Sequence, residues 1–351
     1  MATDKHTELV TVLMPCYNAM PFLIDALESI IHQTYTNLEI LCINDGSTDE
    51  TGEVLERYTE EDKRIRVVHN ETNLKLIKTL NKGTLLAKGK YIARMDADDI
   101  SELSRIEIQM KYLLEHPMVD LISTGMTVIS EEGEFVGSEV PRQFCSKSSL
   151  FASFFYVPFH HAPMIIKTNV LKENLFLDES HALHTEDFEF FARLLVLDYR
   201  CENIADKLYR VRLNSQSVSR KFTKLQDKNF VESAKRHYYT YSGVEYSTKI
   251  VNVLVNRIGK KTLTVENLKM GLIEMKTFKK VFIKKEGVRD PIVLREIEAI
   301  YNTHLFDILF QAFKRSKGRV RIFVFFQFLK NCRLFLNRDV RSYLKTKTLR
   351  H

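Results

Sequence analysis

The sequence predicts an α/β fold: a mainly parallel sheet with helices on both faces, followed by a C-terminal helical extension. Three observations carry this. Strand-type and helix-type runs alternate four times over the first 115 residues. A polar cluster follows each of the four strand-type runs. From about Lys224 the pattern turns helical and increasingly basic. Alternation at this spacing is the signature of βαβ units, whose parallel sheet is covered on both faces.

The elements follow in order. Leu9–Met14 is a β-branched run ending at Pro15, and Phe22–Thr34 places Leu23, Ala26, Leu27, Ile30 and Ile31 at helical spacing. Leu38–Ile43 reads as a second buried strand. Asp49–Glu61 reads as a helix with Thr48 or Asp49 at its N-cap. Ile65–Val68 is a third strand, and Asn73–Lys88 a helix closed by Gly89 in a C-cap role. Tyr91–Met95 is a fourth strand, and the helix Leu103–Glu115 stops before Pro117. Residues 119–215 mix both types and include a helix over Thr185–Leu197. The polar stretch Asn214–Lys224 marks a boundary, giving one domain over 1–220 and a basic helical region over 221–351.

Composition bounds the function. The chain has 351 residues, 44% hydrophobic and 28% charged, ordinary for a globular protein with a sizeable core. The net charge of +7 is local: from Phe310 onward there are twelve Lys/Arg against one acid, Asp339. A basic tail on a slightly acidic body points to an anionic surface as partner. Nucleic acid is not expected, because no binding module accompanies the charge. Five widely spaced cysteines with no C-x-x-C pair argue against a disulfide framework or zinc knuckle and suit a reducing compartment. The polar N-terminus does not read as a signal peptide, and no run is long enough to span a membrane. A cytoplasmic chain is expected.

The chemistry should lie beyond the carboxyl ends of the strands. The four polar clusters stand there: Pro15-Cys16-Tyr17-Asn18, Asn44-Asp45-Gly46-Ser47-Thr48-Asp49, His69-Asn70, and Asp96-Ala97-Asp98-Asp99. Three carboxylates within four residues repel one another unless a cation or solvent compensates, and hard oxygen ligands suit Mg²⁺ or Mn²⁺. A cation held by Asp96 and Asp98 would bridge the phosphates of a nucleoside diphosphate. The plainer alternative is a solvated turn capping the next helix. An EF-hand fails because Ser101 replaces the required glycine. No P-loop and no G-x-G-x-x-G occurs, which disfavours a nicotinamide dinucleotide. Glu186-Asp187 opens a helix; these acids are either dipole partners or, in Asp187, a general base for an acceptor hydroxyl. His160 and His161 lie in an apolar setting, as structural histidines or as contacts to a phosphate or acceptor.

Thr11-Val-Leu-Met-Pro-Cys-Tyr-Asn18, Asn44-Asp-Gly-Ser-Thr-Asp49, Leu80-Asn-Lys-Gly83, Gly89-Lys-Tyr-Ile-Ala-Arg-Met-Asp-Ala-Asp-Asp99 and Glu186-Asp187, in this order, resemble the family 2 glycosyltransferases with the Rossmann-like GT-A fold. Some of these build bacterial polysaccharides. The resemblance runs over about residues 9–220. It implies a nucleotide-sugar donor, UDP being the expected nucleotide, and a glycan or lipid-linked glycan acceptor. Pro15, Tyr17, Asn18 and Asn73 would border the donor, and Asp45 would hold uracil or ribose. Asp96 would meet ribose or metal, and Asp98 would be the main metal ligand. Asp187 would be the base of an inverting transfer, with Glu186 orienting the acceptor; of the two histidines, His161 is the one expected toward the acceptor from its own setting. Leu208–Arg212 with Ser215–Ser219 is similar to a stretch that can fold over the donor. One departure stands out: where the family has Asn-x-Gly-Leu, this chain has Asn73-Leu74-Lys75-Leu76.

Two rival functions are weaker. A nucleotidyltransferase should carry a Gly-rich, Arg-containing loop after the first strand, which Pro15–Asn18 does not supply. A non-catalytic nucleotide-sugar-binding protein would not need both Asp98 and Asp187. For the tail, Arg319–Arg341 is expected as an amphipathic helix that rests on anionic lipid at the inner face of the membrane, the alternative being packing on its own domain.

Overall fold

The computed structural model describes residues 8–213, 223–259 and 263–331. The chain divides into two compact units that interleave along the sequence. The first takes Met1–Gln143, Phe159–Glu179 and Leu197–Lys221; the second takes Phe144–Pro158, Ser180–Val196 and Phe222–His351. The expected boundary at 220/221 lies outside the described residues.

The first unit is built on one mixed sheet. Its strands are β1 (Val10–Cys16), β2 (Leu38–Asn44), β3 (Ile65–His69), β4 (Tyr91–Arg94), β5 (Ile100–Ser101), β6 (Leu121–Ile129), β7 (Phe135–Glu139), β8 (Ile165–Lys167) and β9 (Cys201–Arg212). The order is β3-β2-β1-β4-β8-β6-β9-β5, with β7 on β6. From β3 to β4 all pairings are parallel. Beyond β4 the sheet is mixed, since β8 is antiparallel to both β4 and β6 while β6 and β9 run parallel. Helices α1 (Leu23–Ile31), α2 (Thr51–Glu61), α3 (Leu76–Leu86), α4 (Arg105–Glu115) and α6 (Thr168–Glu173) complete the unit. β2 is buried at every position, as a strand covered on both faces must be. Val12, Leu27, Ile40, Ala93, Ile106 and Met110 meet in its core. Each fully buried aliphatic side chain there contributes about 1.5–3 kcal/mol.

Two local expectations change. α3 begins at Leu76 and ends at Leu86 with Ala87 as its C-cap, so Gly89 is not the cap. Gly89 is needed for close approach instead: a Cβ there would lie 2.4 Å from the backbone nitrogen of Thr11. α2 starts at Thr51, and Asp49 Oδ1 accepts the Thr51 N–H at 3.1 Å, so Asp49 does bind a free amide at that helix start.

The second unit is helical: α5 (Ser146–Ser153), α7 (Glu186–Val196), α8 (Thr223–Ser242), α9 (Thr248–Leu254), α10 (Val265–Lys285), α11 (Pro291–Arg315) and α12 (Gly318–Lys330). Its centre is aromatic. Phe154 stacks on His237 at 4.1 Å and meets Phe278 at 4.6 Å, and Phe151 meets Phe282 at 5.0 Å. No helix among the described residues is long and apolar enough to cross a membrane. α12 realises the first part of the helix expected over Arg319–Arg341; the remainder, and Ser215–Ser219, lie outside the described residues.

Candidate active site

The loops at the carboxyl ends of β1, β2 and β3 are stitched together. Asn18, at φ 47°, accepts the Thr48 N–H at 2.8 Å, and its own N–H donates to Ser47 Oγ at 3.0 Å. Asp45 is buried and grips the loop after β3. Its Oδ1 accepts from Asn70 Nδ2 (2.7 Å) and the Leu74 N–H (2.8 Å), and its Oδ2 from the Lys75 N–H (3.0 Å). Asn73 Oδ1 also accepts the Lys75 N–H, at 2.9 Å. The turn needs Gly46: φ is +69°, and a Cβ would sit 2.7 Å from the Thr72 carbonyl carbon. Pro15 is the sixth residue of β1, and Tyr17 projects into solvent. The structure therefore unites Pro15, Tyr17, Asn18, Asp45 and Asn73 on one rim.

β4 lies beside β1 and ends in the aspartate motif. Asp96 forms a fork-to-fork pair with Arg94: Nη1 to Oδ2 at 2.9 Å and Nη2 to Oδ1 at 2.8 Å. The Asp96 N–H donates to the buried hydroxyl of Tyr209 at 3.0 Å, and that hydroxyl donates to Asp99. Asp99 is buried and also accepts the Arg212 N–H at 2.8 Å. Burial, then the charges of Asp96 and Asp98, push its carboxyl well above the ordinary carboxylate range. The buried Arg212 guanidinium also holds the turn, its Nε donating to the Asp98 carbonyl at 3.1 Å. Arg105 lies fully buried beneath, donating to the Arg94 carbonyl at 3.0 Å over the Tyr209 ring, and burial lowers it to about 10. His161 stands edge-on to Phe176 at 5.1 Å; burial and then the Arg94 charge push it well below its ordinary value, so it is neutral at pH 7.

Asp98 is partly exposed on this turn. Its carboxylate is a hard oxygen donor, as Mg²⁺ and Mn²⁺ require. Among the described residues no group of three or more His, Cys, Asp or Glu could hold a metal unaided. The fit is to a cation held by one carboxylate together with phosphate oxygens, a common arrangement for Mg²⁺. Arg94 engages one lone pair on each Asp96 oxygen, which fixes the carboxylate and leaves a second lone pair on each for a ligand.

Glu186 and Asp187 belong to the second unit, at the start of α7. The segment before them is held by one polar face of α8. Gln226 Nε2 donates to the His184 carbonyl at 3.0 Å, Asn229 Nδ2 to that of Leu183 at 2.9 Å, and Ser233 Oγ to that of His181 at 2.9 Å. Phe188, one residue beyond Asp187, packs on Phe230 at 4.1 Å. The spacing of 226, 229 and 233 on one helix face was a signal available in the sequence. The reach of Tyr209 and Arg212 to an aspartate motif more than a hundred residues earlier had no local signal beyond the family likeness of Leu208–Arg212.

Residues 11–172 match the model of the glycosyl transferase family 2. An uncharacterized glycosyltransferase of Haemophilus influenzae is 34% identical over 257 residues, 71% of this chain and 79% of that protein. The chain belongs to the family 2 glycosyltransferases and is a transferase. Two solved structures share its fold. S. aureus TarS 1-349, in complex with UDP-GlcNAc, has a TM-score of 0.54 at 18% identity, over 96% of this chain and 91% of that one. The Pyrobaculum calidifontis mannosyltransferase PcManGT, in complex with GDP-Man and Mn²⁺, has a TM-score of 0.51 at 17% identity, over 97% and 84%. The sheet and the helices about it are of the GT-A type.

Proposed function

We propose that the chain is a metal-dependent, inverting transferase. It moves a sugar from a nucleotide sugar, with UDP as the expected nucleotide, to a hydroxyl of a glycan or lipid-linked glycan in surface polysaccharide synthesis. It would work in the cytoplasm, bound peripherally at the inner face of the membrane. The observation that carries the reading is the stitched rim of Asn18 and Asp45, in the loops after the neighbouring strands β1 and β2, with β1 also adjoining β4, which leads into Asp96-Ala97-Asp98. Solved structures of this fold carry UDP-GlcNAc or GDP-Man, which supports a nucleoside-diphosphate sugar as donor class.

In this proposal Pro15, Tyr17 and Asn18 border the nucleotide, Asp45 faces uracil or ribose, and Asn73 shapes the adjoining loop. Asp98 would hold Mn²⁺ or Mg²⁺, and Asp96, fixed by Arg94, would face ribose or the same cation. Such a cation offsets the negative charge that develops on the departing diphosphate. Asp187 takes the proton from the acceptor hydroxyl as its oxygen bonds to the anomeric carbon and the bond to the diphosphate breaks. One displacement inverts that carbon. Glu186 and His161 orient the acceptor.

The test is release of nucleoside diphosphate from a panel of UDP- and GDP-sugars with a lipid-linked glycan extract, and the anomeric configuration of the product. Donor-dependent release with inversion is expected. Retention of configuration, or no release from any donor, counts against the proposal.

A further inference from the structure

We propose that α12 is a membrane-docking helix whose outward face inserts into the interface of an anionic bilayer. Ile322, Phe325, Phe326 and Leu329 are 58%, 51%, 60% and 54% exposed. They follow the i, i+3, i+4, i+7 spacing that puts four side chains on one stripe of a helix. The opposite face is occupied: Val324 is fully buried, and Phe328 meets Phe306 of α11 at 5.8 Å. α12 is therefore apolar on two sides, and among the described residues its own unit covers only one.

Cations decide the partner. At 100° per residue, Arg321 falls on one flank of the stripe and Arg319 and Lys330 on the other. Arg321 lies over the Phe313 ring at 4.5 Å, its charge at the edge of the stripe. From Phe310 to the end of the chain the only acid is Asp339. An apolar stripe with a cation on one flank and two on the other is the arrangement of a helix lying in the interface plane. Its aromatic face sinks about 5–10 Å, and its basic side chains reach phosphate headgroups. The helix has 13 residues, too few to span a bilayer. The inference gives the proposed peripheral placement a named surface; it rests on that placement and not on the donor or metal assignment.

Co-sedimentation of the full chain with phosphatidylcholine vesicles, with and without phosphatidylglycerol, tests it. The parent should bind only the anionic vesicles, and less as salt rises. Arg319→Gln/Arg321→Gln should weaken binding on the order of 30-fold, a factor of about five per charge. Phe325→Ser/Phe326→Ser should reduce it to the level on neutral vesicles, with an unchanged circular dichroism spectrum. These sites are exposed, so folding should survive. The proposal is overturned if the parent does not bind anionic vesicles, or if either variant binds as the parent does. It is also overturned if light scattering shows a dimer that the phenylalanine variant dissolves, because a second copy would then cover the face. No nucleotide sugar is present, so failure of the transferase reading leaves this result intact.

Discussion

Asp45 holds Lys75 by its backbone: Oδ2 accepts the Lys75 N–H at 3.0 Å while the lysine sits at φ 73°, ψ 162°. This is the position where the family pattern has glycine, and the conformation is one that glycine adopts freely and other residues do not. Three hydrogen bonds, from the Leu74 and Lys75 amides to the Asp45 carboxylate and from the Lys75 amide to Asn73 Oδ1, hold the strained residue in place.

Replacing Lys75 by glycine should therefore stabilise the chain by about 1 kcal/mol. The strain released, ~1–3 kcal/mol, exceeds the ~0.5–1 kcal/mol of added unfolded-chain freedom. Urea unfolding measures this through a higher midpoint, and a lower midpoint would show that the lysine side chain itself holds the loop.

Asp45→Ala should act in the opposite direction. It strips partners from Asn70 and from the Leu74 and Lys75 amides, a loss of about 2–3 kcal/mol. Faster hydrogen exchange at the Leu74 and Lys75 amides would locate the damage, and unchanged protection there would contradict the assigned role.

The parts legible in the sequence were those where one local signal sufficed. β1, β2 and β4 showed as apolar runs because parallel strands are buried on both faces, and the clusters after the strands showed because ligand loops sit at strand ends. β5 was not legible: two residues, Ile100 and Ser101, have no period, and their partner strand lies at Tyr209–Arg210. The support of the aspartate motif was hidden for the same reason, since Tyr209 and Arg212 reach it only because β9 pairs with β5, just after the motif. The division into units was equally non-local: α5 and α7 precede the basic helices in sequence yet share their aromatic centre.

Asp187→Asn keeps the shape of the side chain and removes its basicity. Turnover should fall about 10²–10⁴-fold, the usual contribution of a general base, while donor affinity stays within error. Steady-state kinetics with calorimetry separates the two, and near-normal turnover would remove Asp187 as the base.

The second unit should lose stability in mild acid through His237. Burial pushes its imidazole down to about 3, and Ser153 Oγ, whose proton points to the Leu150 carbonyl, faces Nε2 at 3.0 Å. The unfolded chain takes up a proton below about pH 6.5 and the folded chain does not until about 3, so stability falls as pH drops through that window. His237→Phe preserves the stack on Phe154. It should lose about 2 kcal/mol less than the parent between pH 7 and 5 in urea unfolding. Equal losses would show that the histidine is protonated in the fold.

The central claim is that a nucleotide sugar is held through a divalent cation at Asp98. Calorimetric titration of the parent and of Asp98→Ala with UDP- and GDP-sugars, in Mn²⁺ and then in EDTA, tests it most directly. The account predicts binding by the parent that EDTA abolishes and that Asp98→Ala lacks even with Mn²⁺. Binding that survives both EDTA and the substitution would contradict it.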